Sequence, residues 1–301
     1  MPYGRCGDDD ATWPAEDACA DEETPLLHAG AAAARERFTP DVATSARVYN
    51  WLLGGKDNFA ADRAAGARLL EVMPEVRLAA RANRAFLRQA VRRLAAAGVR
   101  QFLDIGCGLP VAENTHEIAQ RAAPGSRVVY IDVDPMVVTH ARALLATDDH
   151  TIALRRTLCD PWRIVTDPVI RAHLDLSRPI GLLLLAVLHH LRRDAAACEV
   201  VRILRRMLAP GSFVVLSHLL DDGQPQTWRA QAVYSEAVVP VRARTAEWVA
   251  ELVDGMEPVA HGIAHISVWL EGDESSGLGS IYDRAALKQI PLVCAIVRTP
   301  A

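Results

Sequence analysis

The sequence predicts an α/β protein with a mostly parallel sheet that is covered by helices on both faces. Apolar segments and helical segments alternate from residue 99 onward, which is typical of parallel strands joined by helices. Residues 182–188 form an unbroken apolar run, as expected for a strand buried on both faces. A glycine turn follows the first strand directly. Together these features favour a doubly wound sheet.

The elements of this sheet follow in order. Strands are predicted at 100–105, 127–132, 151–157, 180–187 and 212–218, and helices at about 112–123, 136–146, 161–174 and 194–208. Asp134-Pro135 is an N-cap followed by a proline at the first helical position. Residues 225–254 are predicted to be helical, with an ambiguous stretch at 238–241. Two late strands, near 257–270 and 291–298, flank a Gly/Ser-rich loop at 271–280, which completes seven strands.

Three helices precede the first strand and form a predicted N-terminal helical cap at 39–98, ahead of a core at 99–301. The first ends at the glycine pair 54–55, and helices at 60–73 and 75–97 are separated by Pro74 and closed by Gly98. The third has an apolar face of Val76, Ala80, Leu87, Val91 and Leu94. Its second face carries Arg77, Arg81, Arg84, Arg88 and Arg92, which is typical of a solvated surface.

Composition excludes several classes of protein. Residues 1–30 carry a net charge of −7, so residues 31–301 carry only +3, which gives no electrostatic signal for nucleic-acid binding. Residues 1–38 lack sustained periodicity and are predicted to be a mostly disordered acidic tail. No apolar run approaches the length of about 20 residues that a membrane span needs, and the acidic N-terminus does not resemble a signal peptide.

The six cysteines are scattered, without a C-x-x-C pair. This spacing predicts free thiols in a reducing cytoplasm and argues against a zinc site. They are Cys6, Cys19, Cys107, Cys159, Cys198 and Cys294.

The first strand ends in Asp104 and is followed by Gly106, Gly108 and Pro110. A strand, a tight glycine turn and a helix start can hold a nucleotide-like ligand at the end of the strand. Val111 stands where a dinucleotide fingerprint needs its third glycine. The stretch instead resembles the first motif of class I S-adenosylmethionine-dependent methyltransferases, Asp-x-Gly-x-Gly-x-Gly, with proline at the last glycine.

Acidic residues follow the next two strands. Asp132 ends the second strand, where a carboxylate can accept hydrogen bonds from both ribose hydroxyls of a nucleoside, and Asp134 caps the helix that follows. Asp160 follows the third strand. It is expected to contact the adenine amino group or to cap the next helix, and the residues favour neither role over the other.

The fourth strand leads into Leu188, His189 and His190, a position that faces the methyl donor in methyltransferase folds. One histidine is expected to be structural, and the other is a candidate for lining the site or acting as a base. His218, after the fifth strand, is a third candidate near the same edge.

The cluster Lys56-Asp57-Asn58 follows the glycine pair directly. Local pattern alone favours a junction between two helices, with Asn58 as the capping residue of the second.

Several segments resemble the actinobacterial S-adenosyl methyltransferase family that was once catalogued as a domain of unknown function. They are 48–49, 52–59, 81–87, 101–110, 114–119, 131–135 and 187–190. The resemblance implies a Rossmann-like seven-stranded sheet with an antiparallel last strand, and it accounts for Pro110. It further implies a lid over S-adenosylmethionine, to which the predicted contacts are Lys56, Asp57, Asn58, Tyr49, Arg81 and Arg84. The family's usual Asp-Leu-Arg-Asp-Pro reads Thr-Leu-Cys-Asp-Pro at 157–161, which loses one acid and the arginine.

The expected function is therefore in-line methyl transfer from S-adenosylmethionine to a nitrogen, oxygen, sulfur or carbon nucleophile. Such transfer depends on positioning more than on acid–base groups. The near-neutral body favours a small-molecule acceptor. Two alternatives are a non-catalytic protein that binds S-adenosylmethionine and, less favoured, a nucleotide-dependent oxidoreductase. The residues give neither the identity of the acceptor nor the oligomeric state.

Overall fold

The computed structural model describes residues 39–271 and 284–300. In this part of the chain seven strands form one sheet, in the order β3-β2-β1-β4-β5-β7-β6. The strands are β1 Gln101–Ile105, β2 Arg127–Asp132, β3 Thr151–Arg155, β4 Gly181–Leu185, β5 Phe213–Leu219, β6 Glu257–His265 and β7 Leu292–Arg298. The predicted tail 1–38 and nearly all of the predicted loop 271–280 lie outside the described residues.

The pairing confirms the predicted sheet. Strand β1 is parallel to β2 and to β4, so that Leu103 is paired with Val129 on one side and Leu182 on the other. Strand β7 is antiparallel to both β5 and β6. The carboxyl ends of β1, β2, β4 and β5 therefore meet at one edge of the sheet.

Twelve helices lie in the described part of the chain. They are α1 Ser45–Leu52, α2 Ala60–Val72, α3 Val76–Ala96, α4 Thr115–Ala122, α5 Pro135–Leu144, α6 Pro161–Val165, α7 Pro168–His173, α8 Asp194–Arg205, α9 Pro225–Ala237, α10 Ala246–Glu251, α11 Ile266–Trp269 and α12 Arg284–Lys288. A short 3-10 turn, Leu188–His190, follows β4. No helix among these is both long and apolar enough to span a bilayer.

Four predicted boundaries are wrong, and two of them have a clear local cause. The helix after the glycine turn begins at Thr115 instead of 112, because the amide of Asn114 is bonded to Glu117. The helix predicted at 161–174 is two helices, because Asp167 caps a new one at Pro168. The segment 225–254 is interrupted by a turn at Val238 and irregular chain up to 245, and the strand predicted at 257–270 ends at His265.

Apolar side chains fill both faces of the sheet. On one face Phe86 and Leu94 of α3 pack in the same cluster as Phe102 and Leu183. On the other face Leu103 and Leu182 pack with residues of α6, α7, α8 and α10. Helix α3 is therefore part of the main core, as its predicted apolar face requires.

Helices α1 and α2 pack against α9 from the other end of the chain. Val48, Leu52 and Ala65 form a small cluster that Tyr234 touches, and the Tyr234 hydroxyl lies 2.8 Å from Ser45 Oγ. A buried ion pair between Arg47 and Asp62 joins α1 to α2 at 2.9 Å. The helices ahead of β1 are thus held by contacts within the group and by α9.

The arginine face of α3 is not the solvated surface that its spacing indicates. Arg77 lies over the ring of Trp51, with 4.2 Å between its guanidinium carbon and the ring centroid. Arg84 and Arg88 contact the loop that follows the glycine turn. Of the five predicted residues only Arg92 is exposed, and the other four are partly buried. The spacing identified the arginine face correctly, but other parts of the chain pack against α3 and cover most of that face.

The prediction of free thiols is correct for Cys107 and Cys294 and wrong for Cys159 and Cys198, which are both disulfide-bonded. Sequence spacing reveals disulfides only where cysteines recur in a compact pattern, whereas folding brings distant residues together. Cys6 and Cys19 lie outside the described residues.

Candidate functional site

The glycine turn lies at the end of β1 and is fixed by bonds to β2. The backbone N–H groups of Gly106 and Cys107 both donate to the carbonyl of Ile131. Gly106 has a φ of +75°, and a Cβ there would lie 2.6 Å from Cγ2 of Val187, so only glycine fits. Gly108 has a φ of +68°, but a Cβ there would meet nothing within 4 Å. The turn therefore packs against the end of β4 at Gly106 and borders open space at Gly108.

Asp132 connects this turn with the end of β2. Its Oδ2 accepts the N–H of Gly108 at 3.0 Å, and its Oδ1 accepts the N–H of Asp134 at 2.9 Å. Burial raises the pKa of Asp132 to about 6, although these N–H bonds favour the ionised form. Asp134 caps α5 by accepting the N–H of Met136, which confirms its predicted role. The next residue after Asp132, Val133, is 53% exposed.

Asp104 lies on the face of β1 that packs against α3 and α4. Its Oδ2 accepts the hydroxyl of Thr115 at 2.6 Å, and it is buried. Burial raises the pKa of Asp104 to about 6, and the Thr115 bond and the charge of Arg84 oppose that shift. The side chain therefore joins β1 to the start of α4.

Arg84 reaches from α3 to the same place. Burial raises the pKa of Asp104, Cys107 and Tyr49, and the charge of Arg84 opposes this rise in each case. The guanidinium therefore lies near all three groups. Nη2 of Arg84 donates to the carbonyl of Glu113 at 2.7 Å. Its Nε is buried and has no hydrogen-bond partner among the residues that the structure describes. Arg84 thus places a cation beside the glycine turn with one donor unused.

A chain of hydrogen bonds connects the N-terminal helices with the ends of β4 and β5. Asn83 donates to the Tyr49 hydroxyl at 3.1 Å and accepts the Ser217 hydroxyl at 2.6 Å. Ser217 Oγ in turn accepts the N–H of Ala186 at 2.9 Å. Ala186 has a φ of +51°, a strained value for alanine, at the point where β4 leaves the sheet. Sequence reasoning missed Asn83 and Ser217, although each is a polar residue within an apolar pattern.

The three predicted histidines lie together at the ends of β4 and β5. The ring centroid of His189 is 4.7 Å from that of His190 and 5.7 Å from that of His218. In His218, Nδ1 is bonded to the carbonyl of Leu219 and Nε2 to Arg244 at 3.1 Å. His218 therefore has no ring nitrogen left for a substrate. Burial lowers the pKa of His218 to about 3.

Arg244 holds the turn that carries the other two histidines. This arginine is fully buried; it donates to the carbonyls of Leu191 and Leu188 and is paired with Asp194 at 2.9 Å. Leu188 itself is fully buried in the core, so its side chain does not line an open site. Sequence reasoning missed Arg244, which lies in the segment predicted as helix.

The segment 54–59 makes a sharp turn after α1. Gly55 approaches Asn50 so closely that a Cβ would lie 2.4 Å from its side chain. The side-chain amide of Asn58 donates to Asn50 Oδ1 and to the carbonyl of Gly55. Asn58 is not the capping residue of α2: the cap is Phe59, whose N–H donates to Asp62.

Lys56 is exposed and Asp57 partly exposed, and neither has a hydrogen bond or ion pair among the described residues. Asp160 caps α6 by accepting the N–H of Arg163 at 3.1 Å. Arg81 lies one turn before Arg84 on α3 and is partly buried.

The structure thus brings together two groups of predicted residues. Asp104, Gly106, Gly108, Asp132 and Arg84 lie at the ends of β1 and β2, and His189, His190 and His218 at the ends of β4 and β5.

Comparison with known proteins gives a consistent result. A family model described as S-adenosyl methyltransferase matches residues 31–300. A crystal structure from Thermobifida fusca, described as a candidate methyltransferase, is 39% identical and superposes with a TM-score of 0.80, covering 87% of this chain and 96% of that chain. A protein of Streptomyces avermitilis from a family of unknown function is 37% identical, with a TM-score of 0.81 and coverage of 88% and 100%. The curated proteins give no match.

Proposed function

Because the chain belongs to the S-adenosyl methyltransferase family, we propose that the ends of β1 and β2 hold its cofactor, S-adenosylmethionine, and that the ends of β4 and β5 receive a small-molecule acceptor. Family membership makes the protein an S-adenosylmethionine-dependent methyltransferase and removes the oxidoreductase alternative. The observation that supports the placement best is the bond from Gly108 to Asp132 beside open space. Such a space at the end of a strand fits a nucleoside.

The ribose of the cofactor is assigned to Asp132. Backbone N–H groups, among them those of Gly108 and Asp134, use only part of the carboxylate's capacity of about four hydrogen bonds, so hydroxyl donors of the ribose can also be accommodated. The exposed side chain of Val133 offers an apolar surface next to it for the adenine. Asp160 uses only Oδ1 to cap α6 among the described residues, so Oδ2 can accept from the adenine amino group.

The methionine end is assigned to residues of the N-terminal helices. The charge of Arg84 beside the glycine turn fits the carboxylate, because an arginine forms short charge-assisted bonds with such a group. Lys56 and Asp57 carry charges complementary to the carboxylate and the ammonium. Asn58 is bonded to its own loop and fixes the loop's shape. Tyr49 and Arg81 lie on the two helices that adjoin this end of the site.

When bound, S-adenosylmethionine supplies a methyl group that its sulfonium already activates. The residues of this chain therefore need to orient the two molecules and exclude water more than to transfer protons. The bonds from Tyr49 through Asn83 and Ser217 to Ala186 suit this task, because they fix the acceptor side of the sheet edge relative to the helices above it.

Calorimetry on the full chain tests the placement with two matched alanine variants. Gly108 and Gly98 both have a positive φ and open space at Cβ, so Gly108→Ala and Gly98→Ala should each lose about 1–2 kcal/mol of stability. Only Gly108→Ala should weaken binding of S-adenosylmethionine. Equal affinity in the two variants would contradict the site. Formation of S-adenosylhomocysteine with an acceptor excludes a protein that binds the cofactor without turnover.

A further inference from the structure

Two polar rings at the end of β4 have no hydrogen-bond partner in the part of the chain that the structure describes. Neither His189 nor His190 makes a hydrogen bond through its ring among the described residues, and Nδ1 of each is buried. Buried polar groups are normally bonded, and an exception calls for a specific explanation. Nδ1 of each ring has no accessible surface, so Nε2 is the nitrogen that a ligand can reach. His218, in the same cluster, shows the usual situation, with both nitrogens bonded.

Both rings are uncharged near neutral pH. Burial lowers the pKa of His190 to about 4. The pKa of His189 lies well below its ordinary value, mainly because the ring is buried and also because His190, His218 and Arg244 lie nearby. A neutral imidazole offers one N–H donor and one lone pair, so two such rings can bind a group that both donates and accepts.

The arginine whose charge acts on His189 is already neutralised. Arg244 is fully buried, and its donors go to Asp194, to His218 and to backbone carbonyls. An anionic ligand would therefore find no unpaired cation in this cluster. A cationic ligand would lose its hydration beside Arg244 and neutral rings, without gaining a counter-charge.

Aromatic surfaces surround the pair. The ring centroid of Tyr234 is 6.4 Å from that of His190, and the Tyr234 hydroxyl is bonded to Ser45, so Tyr234 presents its ring and not its hydroxyl to His190. His218 meets His189 edge-on at 90°. Rings pack well against flat ligands through offset or edge contacts.

The pair is also next to the proposed cofactor site. It follows Val187, the residue that Gly106 of the glycine turn approaches so closely that no Cβ fits between them. A ligand against His189 and His190 is therefore adjacent to the end of the cofactor site where transfer must occur.

We propose that His189 and His190 form the polar wall of the acceptor site, and that this wall selects an uncharged acceptor with an O–H or N–H group on a flat ring. The proposal rests on the proposed function, because it takes the ends of β4 and β5 as the acceptor side.

Four ring compounds of similar size test the selection: phenol and aniline, which are uncharged at pH 7.5, and benzoate and benzylammonium, which are charged. Each is titrated into the full chain saturated with S-adenosylhomocysteine, and the imidazole C–H signals are followed by NMR. His189→Gln and His190→Gln assign the two signals. Phenol and aniline should bind at least tenfold more tightly than the charged pair and shift both signals. His190→Phe should weaken phenol binding at least tenfold, whereas His140→Phe, on α5, should not.

The proposal is overturned if a charged compound binds most tightly, or if neither phenol nor aniline binds. It is also overturned if the histidine signals do not change, or if His190→Phe binds phenol as tightly as the parent. Calorimetry with S-adenosylhomocysteine on the same protein separates the two ideas. If that ligand fails to bind, the proposed function fails. If it binds and the neutral rings are not selected, only the acceptor proposal fails.

Discussion

The two halves of the sheet's carboxyl edge differ in whether their polar side chains are hydrogen-bonded. At the ends of β1 and β2, the carboxylates of Asp132 and Asp104 are each bonded to N–H or O–H donors. At the ends of β4 and β5, the rings of His189 and His190 have no hydrogen-bond partner among the described residues. Burial shifts both kinds of group toward the neutral form, since it raises the carboxyl pKa values and lowers the imidazole ones.

The difference indicates how much of each half is complete before a ligand arrives. In the bonded half, which is the proposed cofactor site, bonds to the backbone of the glycine turn fix the positions of the polar groups before a ligand binds. The unbonded half retains unmet hydrogen-bonding capacity that a ligand can satisfy, and leaving it unmet costs stability. Each prediction below would sharpen or break this contrast, and they run from the largest expected effect to the smallest.

Asp132→Ala should weaken binding of S-adenosylmethionine by about 100-fold or more. Two hydroxyl bonds to a charged group are lost, each worth about 1.5–3 kcal/mol. Asp134→Ala is the matched control, because it removes the neighbouring acid that only caps α5. It should cost about 1 kcal/mol of stability and leave affinity nearly unchanged. Calorimetry and thermal melting on both variants give the answer, and similar affinities would end the ribose assignment.

Gly106→Ala should lower the free energy of unfolding by about 2–5 kcal/mol, the sum of a strained φ and overlap with Val187. Gly125→Ala, with a φ of +80° and open space at Cβ, should lose only the strain part. Denaturant unfolding measures both. Val187→Ala combined with Gly106→Ala should recover the overlap part, because the two residues are in contact. If the second substitution gives no recovery, the two halves are not packed as described.

Binding of S-adenosylmethionine should weaken about tenfold from pH 7.5 to pH 5. The pKa of Asp132 is about 6 in the folded protein, so roughly a tenth of it is ionised at pH 5. His190 and His218, with pKa values of about 4 and 3, stay neutral over this range. Calorimetry across pH tests the effect. Asp132→Asn should abolish it, and Asp104→Asn, which removes the other carboxyl of pKa about 6, should retain it.

Stability should respond to pH with opposite signs in the two halves. The folded protein holds more protons than the unfolded chain on Asp104 and Asp132 between about pH 4 and 6, so these carboxyls cost stability as pH rises through that window. The unfolded chain holds more protons on His190 and His218, so these residues cost stability as pH falls below about 6.5. Unfolding curves of Asp132→Asn and His190→Gln across pH 4–7 should therefore diverge from the parent in opposite directions.

Lys56→Ala and Asp57→Ala should each weaken cofactor binding by about two- to fivefold, because exposed charges contribute less than about 1 kcal/mol. Neither should change the melting temperature without ligand, since neither residue is bonded among the described residues. Asn58→Ala is the contrast: it removes bonds to Asn50 and Gly55 and should lower the melting temperature. Lost stability with unaltered affinity in the first two variants would favour a plain junction between helices.

Local pattern in the sequence predicted the sheet and the polar residues at the ends of β1 and β2. Strand positions follow from buried apolar runs, and the glycine turn and the Asp134 cap follow from residues a few positions apart. The same local reasoning misplaced the start of a helix where a proline or a neighbouring side chain sets that start. Pro168 begins a new helix inside the predicted one, and Asp62, not Asn58, supports the start of α2.

Only the tertiary structure decided the contacts between distant residues. The bond from Ser217 to Asn83 joins residues 134 positions apart, and Arg244 reaches back 53 positions to the carbonyl of Leu191. Whether His189, His190 or His218 lacks a hydrogen-bond partner depends on such contacts, and so does the burial of Nε of Arg84. Periodicity and spacing record which face of an element is apolar, because each element repeats its own geometry. They carry no information about which polar atoms another element brings within 3 Å, because that distance is set when the elements pack.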